Sequence, residues 1–343
     1  MKAASPTLPS WPRAIASHAT VEAFADAVAG RRVEAVGRRA KLVVVRLSGD
    51  GAHGRGAAAL TIHLKMTGQL FVVPASSAAD RHVHLRLALA DGRELRFRDI
   101  RKFGRVGCWP LDPATGEPLH RAAGDALFAA MGPEPLDDEF TLRAFRRRLR
   151  ERRGRLKPLL LDQGFIAGVG NIYADEALWR ARLHPLRGAA TLRPPDEARL
   201  YTELRAILAE AIERRGSSID DYTAPDGDGS MQERLDVYQR TGEPCPRCGR
   251  PIRRIVLGAR ATHFCSWCQR LPAADRAGAA AILAGARVPR SRGRRWVDLG
   301  GDGSLGRTPD DVARAGARAA AERTRRAAAT RRARARAGAG EGA

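Results

Sequence analysis

The chain has 343 residues, 44% of them hydrophobic, which is enough for two domains with a buried core. Its 60 Lys and Arg residues outnumber 38 Asp and Glu residues, and the net charge of +22 makes a polyanion, with nucleic acid first, the expected partner. No apolar run approaches the length of a membrane-spanning helix, and the N-terminus lacks the apolar stretch of a secretory signal, so we expect neither a membrane protein nor a secreted one.

The first third of the chain predicts β-strands. Apolar and polar residues alternate in ALTIHLKM (59–66) and VHLRLALA (83–90), the period of a half-buried strand, and LVVVRL (42–47) adds another strand. Asp91-Gly92, which follows the second run directly, is a strong hairpin signal. These patterns predict a sheet or two-sheet sandwich that is antiparallel at least at the hairpin.

From about residue 137 the pattern becomes helical. Apolar residues recur at helical spacing between Leu200 and Ile212. Upstream, TLRAFRRRLRERRGRLKPLLLDQ predicts a basic helix that is broken near Gly154 and Pro158.

Four of the five cysteines form two C-x-x-C pairs, Cys245 with Cys248 and Cys265 with Cys268. The spacing C-x2-C-x16-C-x2-C is typical of a zinc ribbon in which four thiolates leave no open position, so we predict one structural Zn2+. Metal-bound thiolates indicate a reducing compartment, and Cys108 is expected to be a small core residue.

Between the cysteine pairs, RRIVL and ATHF predict a hairpin whose tip carries Arg260. A guanidinium group on a rigid turn suits a phosphate or base contact, although a solvated tip arginine has the same sequence pattern. Beyond the ribbon, residues 273–343 are assigned to a basic tail. From residue 287 it is rich in Arg, Ala and Gly and is predicted to be largely disordered and to attract phosphates without specificity.

The segment KPLLLDQGFIAGVGNIYADEALW (157–179) matches neither of the common phosphate-loop patterns. Its apolar flanks predict two helices joined by a tight glycine turn. Asn171 opens the second helix, where its amide either reaches a phosphate or caps the helix.

Five segments in order resemble the motifs of the formamidopyrimidine-DNA glycosylase family, from about Trp11 to Arg270. They are HLKMTGQL (63–70), RDIRKFG (98–104), MGPEPL (131–136), the glycine-turn segment and the cysteine ribbon. The glycine-turn segment resembles the family's helix–two-turn–helix motif, and the ribbon resembles its C-terminal zinc finger.

The resemblance implies an α+β fold with an N-terminal antiparallel β-sandwich, a helical domain and a four-cysteine zinc-ribbon hairpin. The expected boundaries are 1–130 for the sandwich, 131–240 for the helical domain, 241–272 for the zinc finger and 273–343 for the tail. The implied function is base-excision DNA repair by a bifunctional glycosylase and abasic-site lyase that flips out oxidised purines, 8-oxoguanine and formamidopyrimidines, and uses Schiff-base chemistry. The implied partner is double-stranded DNA with oxidised bases or abasic sites. We expect a monomer in the bacterial cytoplasm, associated with the nucleoid.

The resemblance also implies roles for individual residues. Met66, Arg101 and Phe103 match the residues inserted where the flipped base was, with Arg101 on the orphaned partner base; the residues alone would put Met66 in the core. Lys41 matches a lysine that contacts phosphate and assists β-elimination, and Arg260 matches the arginine of δ-elimination and a phosphate contact. The family's DNA-binding positions include His82, Arg153 and Asn171, and SSIDDYTAPDGDG (217–229) resembles the loop that covers the flipped base.

The sequence departs from the family at its start. An N-terminal proline in a PELPEVE-like segment is the family's nucleophile and the adjacent glutamate transfers protons, yet the chain begins MKAASPTLPSWPRA. We favour a coding sequence that begins further upstream, because a sandwich without this head should expose apolar surface and unpaired backbone. The alternative function is a non-catalytic damaged-DNA-binding protein on the same scaffold.

Overall fold

The contacts of this chain group into two compact units. The computed structural model describes residues 14–51, 54–217 and 229–285. Unit 1 comprises Met1–Phe140, Asp162–Val169 and Ser217–Gly229, and unit 2 comprises the remainder of the chain. The predictions for the 287–343 tail and for nearly all of the covering loop lie outside the described residues. The four domain boundaries expected from sequence stay predictions.

Unit 1 contains a short helix, α1 (Val21–Val28), and two antiparallel sheets. The first sheet has the strand order β1-β2-β3-β7 and the second the order β4-β6-β5. In chain order the strands are β1 (Val33–Arg39), β2 (Leu42–Leu47), β3 (Ala58–His63), β4 (Gly68–Pro74), β5 (Val83–Ala88), β6 (Arg93–Asp99) and β7 (Arg105–Pro110). Side chains from both sheets and from α1 form one core, so the predicted sandwich is confirmed.

The predicted hairpin at Asp91-Gly92 joins β5 to β6, with Gly92 at φ +83°. The prediction of a half-buried strand at β3 is wrong, because Thr61 is buried as fully as Leu60 and Ile62. Its hydroxyl accepts a hydrogen bond of 2.8 Å from the indole of Trp109, which covers the face expected to be polar.

An apolar cleft of about 1020 Å³ lies in unit 1, lined by residues of both sheets. Val36 on the edge strand β1 and Val72 on β4 line it and are 68% and 46% exposed. These two side chains leave apolar surface exposed at the cleft.

Unit 2 is helical and ends in a two-stranded hairpin. Its elements in chain order are α2 (Leu142–Arg150), α3 (Leu156–Leu161), α4 (Asn171–Arg180), α5 (Pro194–Glu213), β8 (Arg253–Leu257), β9 (Arg260–Phe264), α6 (Ala273–Arg276) and α7 (Ala280–Ala284). The basic helix breaks at residues 151–155, around Gly154 as predicted, but Pro158 does not break it. Pro158 lies in the first turn of α3, where a missing N–H costs no helical hydrogen bond.

Two further segments of unit 2 differ from expectation. Ile212, predicted to belong to the apolar stripe of α5, is 65% exposed, whereas Leu200, Leu204 and Ile207 are buried. Residues 273–285, assigned to the tail from sequence, form α6 and α7, and Ala279 between them is buried in a cluster with residues of the hairpin. Within the described ranges, no helix is long and apolar enough to cross a membrane.

We predict that Gly68→Ala destabilises unit 1. A Cβ atom at this position would contact the backbone oxygen of Leu64 and lie 2.8 Å from the Phe97 ring. Such overpacking lowers the free energy of unfolding by about 1–3 kcal/mol, measurable by urea titration. Gly37→Ala in β1 is the matched control, since its Cβ would meet no atom within 4 Å. An equal loss in both variants would contradict the close packing at Gly68.

Candidate nucleic-acid interface and metal centre

The four paired cysteines lie together at one end of the β8–β9 hairpin. Their Sγ atoms all lie within 4.8 Å of one another, and the Cys245–Cys268 and Cys248–Cys265 pairs are 3.9 and 3.5 Å apart. A tetrahedron with Zn–S bonds of about 2.3 Å has edges of about 3.8 Å, so these sulfurs fit one zinc ion and leave no position for water. The predicted structural Zn2+ site is confirmed.

Without a cation the four thiols oppose one another's ionisation. A hydrogen bond from Cys265 lowers the pKa of Cys245, whereas burial and a hydrogen bond with Cys248 raise the pKa of Cys268. A divalent cation supplies the charge that allows all four sulfurs to be thiolates. Cys108, in the core of unit 1, is 1% exposed as expected, and burial raises its pKa to about 11.

The hairpin carries Arg260 at the end opposite the cysteines. Gly258 and Ala259 form a two-residue turn with φ of +55° and +58°, the backbone of a type I′ hairpin. Arg260 is therefore the first residue of β9 rather than part of the turn itself, and its side chain is exposed. The other end is anchored because Ile255 and Phe264 are almost fully buried.

One carbonyl group joins this hairpin to the helices of unit 2. The oxygen of Ala261 accepts hydrogen bonds from Lys157 Nζ at 2.9 Å and from Asn171 Nδ2 at 3.1 Å. Lys157 also lies 2.6 Å from Asp175, whose second oxygen accepts the His263 backbone N–H at 2.9 Å. Lys157 in the first turn of α3 and Asn171, the first residue of α4, therefore both contact the residue next to Arg260.

Asn171 does not cap its helix, so that alternative is wrong. The N-cap of α4 is Gly170, which has no side chain to offer, and Asn171 is the first helical residue. Its amide has two hydrogens, and one is directed to Ala261. The Asn171 amide thus lies at the N-terminus of α4, where the helix dipole favours an anion.

The glycine turn and Lys41 meet within unit 1. Lys41 lies with Ala40 in the tight turn between β1 and β2, and its Nζ donates to the Val169 oxygen at 2.8 Å. The same oxygen accepts the Gln163 amide at 3.1 Å, and Gln163 in turn accepts the Gly168 N–H at 2.9 Å. Lys41 is thus fixed against the turn rather than a freely solvated strand end.

Glu134, from the MGPEPL segment, holds the Lys41 turn from the other side. One of its oxygens accepts the Ala40 N–H at 2.5 Å, and its two oxygens accept Arg38 and Arg39 at 2.7 Å each. Burial raises the pKa of Glu134, but these donors outweigh it, and the pKa falls below its ordinary value. This carboxylate was not among the residues singled out from sequence, although its motif was.

Met66 and Phe103 are exposed, not buried in the core. β3 ends at His63, earlier than the sequence analysis placed it, and Met66 lies in the turn before β4 with 59% of its surface exposed. Phe103 is 47% exposed, and the Arg101 guanidinium lies 5.3 Å from the centre of its ring. These residues form an exposed group that we call the wedge: Met66, Arg101 and Phe103.

The buried carboxylate of Asp99 ties the two wedge loops together. One of its oxygens accepts the Thr67 hydroxyl at 2.5 Å, and the other accepts the Gly104 N–H at 2.8 Å. The Arg101 N–H reaches the Thr67 hydroxyl at 3.2 Å. Sequence reasoning missed Asp99, because only its position in RDIRKFG, not its burial, was visible.

Of the two remaining candidates, one contacts Asp99 through its backbone and the other lies in unit 2. His82 is partly buried in unit 1 at the start of β5, and its carbonyl accepts the Asp99 N–H at 2.9 Å. Arg153 is exposed in the link between α2 and α3 in unit 2. Unit 1 therefore holds Lys41, His82 and the wedge, and unit 2 holds Arg153, Asn171, Arg260 and the cysteines.

Three family models match the chain in succession. The formamidopyrimidine-DNA glycosylase N-terminal domain matches residues 7–106, the H2TH domain of the same family matches 131–223, and a zinc finger found in FPG and IleRS matches 242–271.

Similar proteins align with this chain over most of their own length. The formamidopyrimidine-DNA glycosylase of Herpetosiphon aurantiacus is 46% identical over 260 residues, covering 76% of this chain and 89% of the relative. The crystal structure of MutM (Fpg) from Thermus thermophilus is 39% identical with a TM-score of 0.64, covering 79% of this chain and 93% of that one. A complex of Lactococcus lactis Fpg with abasic-site DNA is 33% identical with a TM-score of 0.66, covering 78% and 92%.

Both the sequence identity and the coverage exceed what a shared fold alone would give, and the cysteine geometry agrees with the matched zinc finger. The family and α+β fold expected from the sequence motifs are confirmed. This chain belongs to the formamidopyrimidine-DNA glycosylase family.

Proposed function

We propose that this DNA glycosylase removes oxidised purines, 8-oxoguanine and formamidopyrimidines, from double-stranded DNA and then cuts the strand at the abasic site. The observation that carries the proposal is the wedge, in which two large exposed apolar side chains and the Arg101 guanidinium stand on two loops joined through the buried Asp99. Exposed apolar side chains on a fixed support suit insertion between bases. Relatives bound to 8-oxoguanine-type and abasic DNA support the same substrate.

Base flipping requires that the gap left in the duplex be filled. Extruding a base costs a few kcal/mol of unstacking, and apolar side chains that take its place offset part of that cost. In this role Met66 and Phe103 occupy the gap, while the planar fork of Arg101 donates to the orphaned partner base.

Backbone contacts hold the DNA while the base is out. Asn171 uses its second amide hydrogen and the α4 N-terminus for a phosphate, and Arg260 contacts a phosphate from the hairpin tip. Arg153 and His82 add DNA contacts from their own units. Lys41 contacts phosphate and assists β-elimination, and Arg260 assists δ-elimination.

The partner is double-stranded DNA with oxidised bases or abasic sites, and the protein acts on it as a monomer. We place it in the bacterial cytoplasm in association with the nucleoid, because the net charge of +22 favours a polyanion such as the chromosome.

Schiff-base chemistry separates this proposal from its alternative. An amine must attack C1′ of the lesion sugar as the base leaves. None of the residues assigned above has this role, which we assign to an N-terminal proline of the kind found in the family. The alternative, a non-catalytic damaged-DNA-binding protein on the same scaffold, needs no amine.

Borohydride trapping on an 8-oxoguanine duplex distinguishes the two. We compare this chain with the same chain extended at its N-terminus by a PELPEVE-like head that begins with proline. Borohydride reduces the protein–DNA imine to a stable amine, so we expect the extended chain to form a covalent adduct on the lesion duplex and none on an undamaged duplex. Lesion binding by the extended chain without an adduct would favour the non-catalytic alternative, and no preference for the lesion by either chain would contradict both.

Phe103→Ala is expected to weaken binding to an abasic-site duplex roughly 5- to 150-fold, since an aromatic stacking contact is worth about 1–3 kcal/mol. The ring is 47% exposed, so thermal stability should change little. Val72→Ala, which truncates a side chain of similar exposure on β4, is the control for fluorescence-anisotropy titrations. Equal loss of affinity in both variants would argue against the wedge.

Removal of one zinc ligand should cost both metal and DNA affinity. Cys248→Ala is expected to lower bound zinc, measured by elemental analysis, from about one ion per chain to none, because three thiolates no longer close the site. Without bound zinc, the hairpin that carries Arg260 is no longer held at its cysteine end. We therefore expect affinity for the abasic duplex to fall about 10-fold or more. Cys108→Ala, in unit 1, should retain its zinc. Full zinc content in Cys248→Ala would contradict the assigned ligands.

A further inference from the structure

A second basic surface in unit 2 lies at the cysteine end of the β8–β9 hairpin. We call it the arginine pocket, a shallow depression of about 490 Å³ lined by Cys248, Cys268 and Trp267 and by six arginines: Arg182, Arg187, Arg193, Arg199, Arg247 and Arg270. Arg260 is the first of the five residues of β9 and Cys265 follows the last, so an extended strand of roughly 17 Å separates them. The pocket is therefore distinct from the hairpin tip to which the proposed function assigns phosphate contacts.

The arginines of the pocket carry more positive charge than the acidic groups around them neutralise. Asp196 is the one carboxylate in the lining, and it pairs with Arg187, Arg193 and Arg199 at 2.9, 3.3 and 2.6 Å. A zinc tetrathiolate adds a net charge of −2. Six guanidinium groups still leave three positive charges in excess.

The arginines without an acidic partner are held by aromatic rings and backbone. Arg247 donates to the Trp179 oxygen at 2.9 Å and lies 4.0 Å from the centre of the Trp179 ring. Arg270 lies 4.3 Å from the Trp267 ring centre. Neither of these arginines, nor the exposed Arg182, has a carboxylate partner among the described residues. Stacking on a ring fixes a guanidinium plane and leaves its edge donors for a ligand.

We infer that the arginine pocket binds phosphate groups of a second DNA segment, separate from the one that contacts Arg260. The guanidinium fork matches phosphate geometry, and several of these groups converge on one open depression. Trp267 is 48% exposed, but Arg250 and Arg270 already lie 3.5 and 4.3 Å from its ring centre. A base therefore has no free ring to stack on, so the pocket recognises the backbone and not the sequence.

The test uses the full chain and the double variant Arg182→Gln/Arg270→Gln. Protein is first saturated with an unlabelled abasic-site duplex, and a labelled undamaged duplex is then titrated by fluorescence anisotropy at several salt concentrations. The matched control is Arg143→Gln/Arg147→Gln on α2, which removes the same charge from the same unit. Direct titration of the abasic duplex in each protein checks that the first site is unchanged.

We expect the parent and the control to bind a second duplex, and the pocket variant to bind it at least about 10-fold more weakly. The slope of log affinity against log salt should also become shallower by roughly 2, since each lost phosphate contact contributes about 0.9. No second binding event, or equal weakening in the control, would overturn the inference. Inorganic pyrophosphate or an aspartate-rich peptide that binds the saturated protein where the second duplex does not would assign the pocket to a free anion or to a protein, and would also overturn it.

Discussion

Two full charges, on Lys157 and Asp175, lie in unit 2 with 1% or less of their side chains exposed and only 2.6 Å between their nearest atoms. Burying either charge alone would cost several kcal/mol, and the pair is tolerable because the two charges neutralise each other and each side chain also hydrogen-bonds to the backbone. Burial lowers the pKa of Lys157 while Asp175 opposes that shift. The lysine also binds the Ala261 oxygen and the aspartate binds the His263 N–H, so the pair fixes α3 and α4 to the strand that begins with Arg260.

In unit 1 a single buried carboxylate fixes the loops that carry the proposed DNA contacts. Asp99 is fully buried, and its donors come from the two loops that present the wedge. Exposed apolar side chains contribute little to the stability of the loops that carry them. The conformation of such loops therefore depends on buried polar contacts. In both units most of the residues proposed to contact DNA are exposed, while the residues that fix them are buried and charged.

Local patterns predicted the local features of this protein. Cysteine spacing indicated the metal site, the Asp-Gly step indicated the β5–β6 hairpin, and the ordered motifs indicated the family. The predictions missed features that depend on contacts with residues far away in the sequence. Thr61 is buried by an indole 48 residues away, Lys41 contacts a carbonyl 128 residues away, and Glu134 binds a turn 94 residues away. Alternation and spacing carry no information about such contacts, and the motif resemblance named residues proposed to contact DNA without naming the residues that support them.

The exposed position of Met66 makes this side chain accessible to oxidation. Its thioether is 59% exposed in a turn, which is where a soluble oxidant reaches methionine most easily. Oxidation to the sulfoxide converts a flexible apolar group into a polar one, ill suited to a gap between stacked bases. The same oxidants that damage guanine therefore have access to the side chain proposed to take its place, and enzymatic reduction of methionine sulfoxide would restore that side chain.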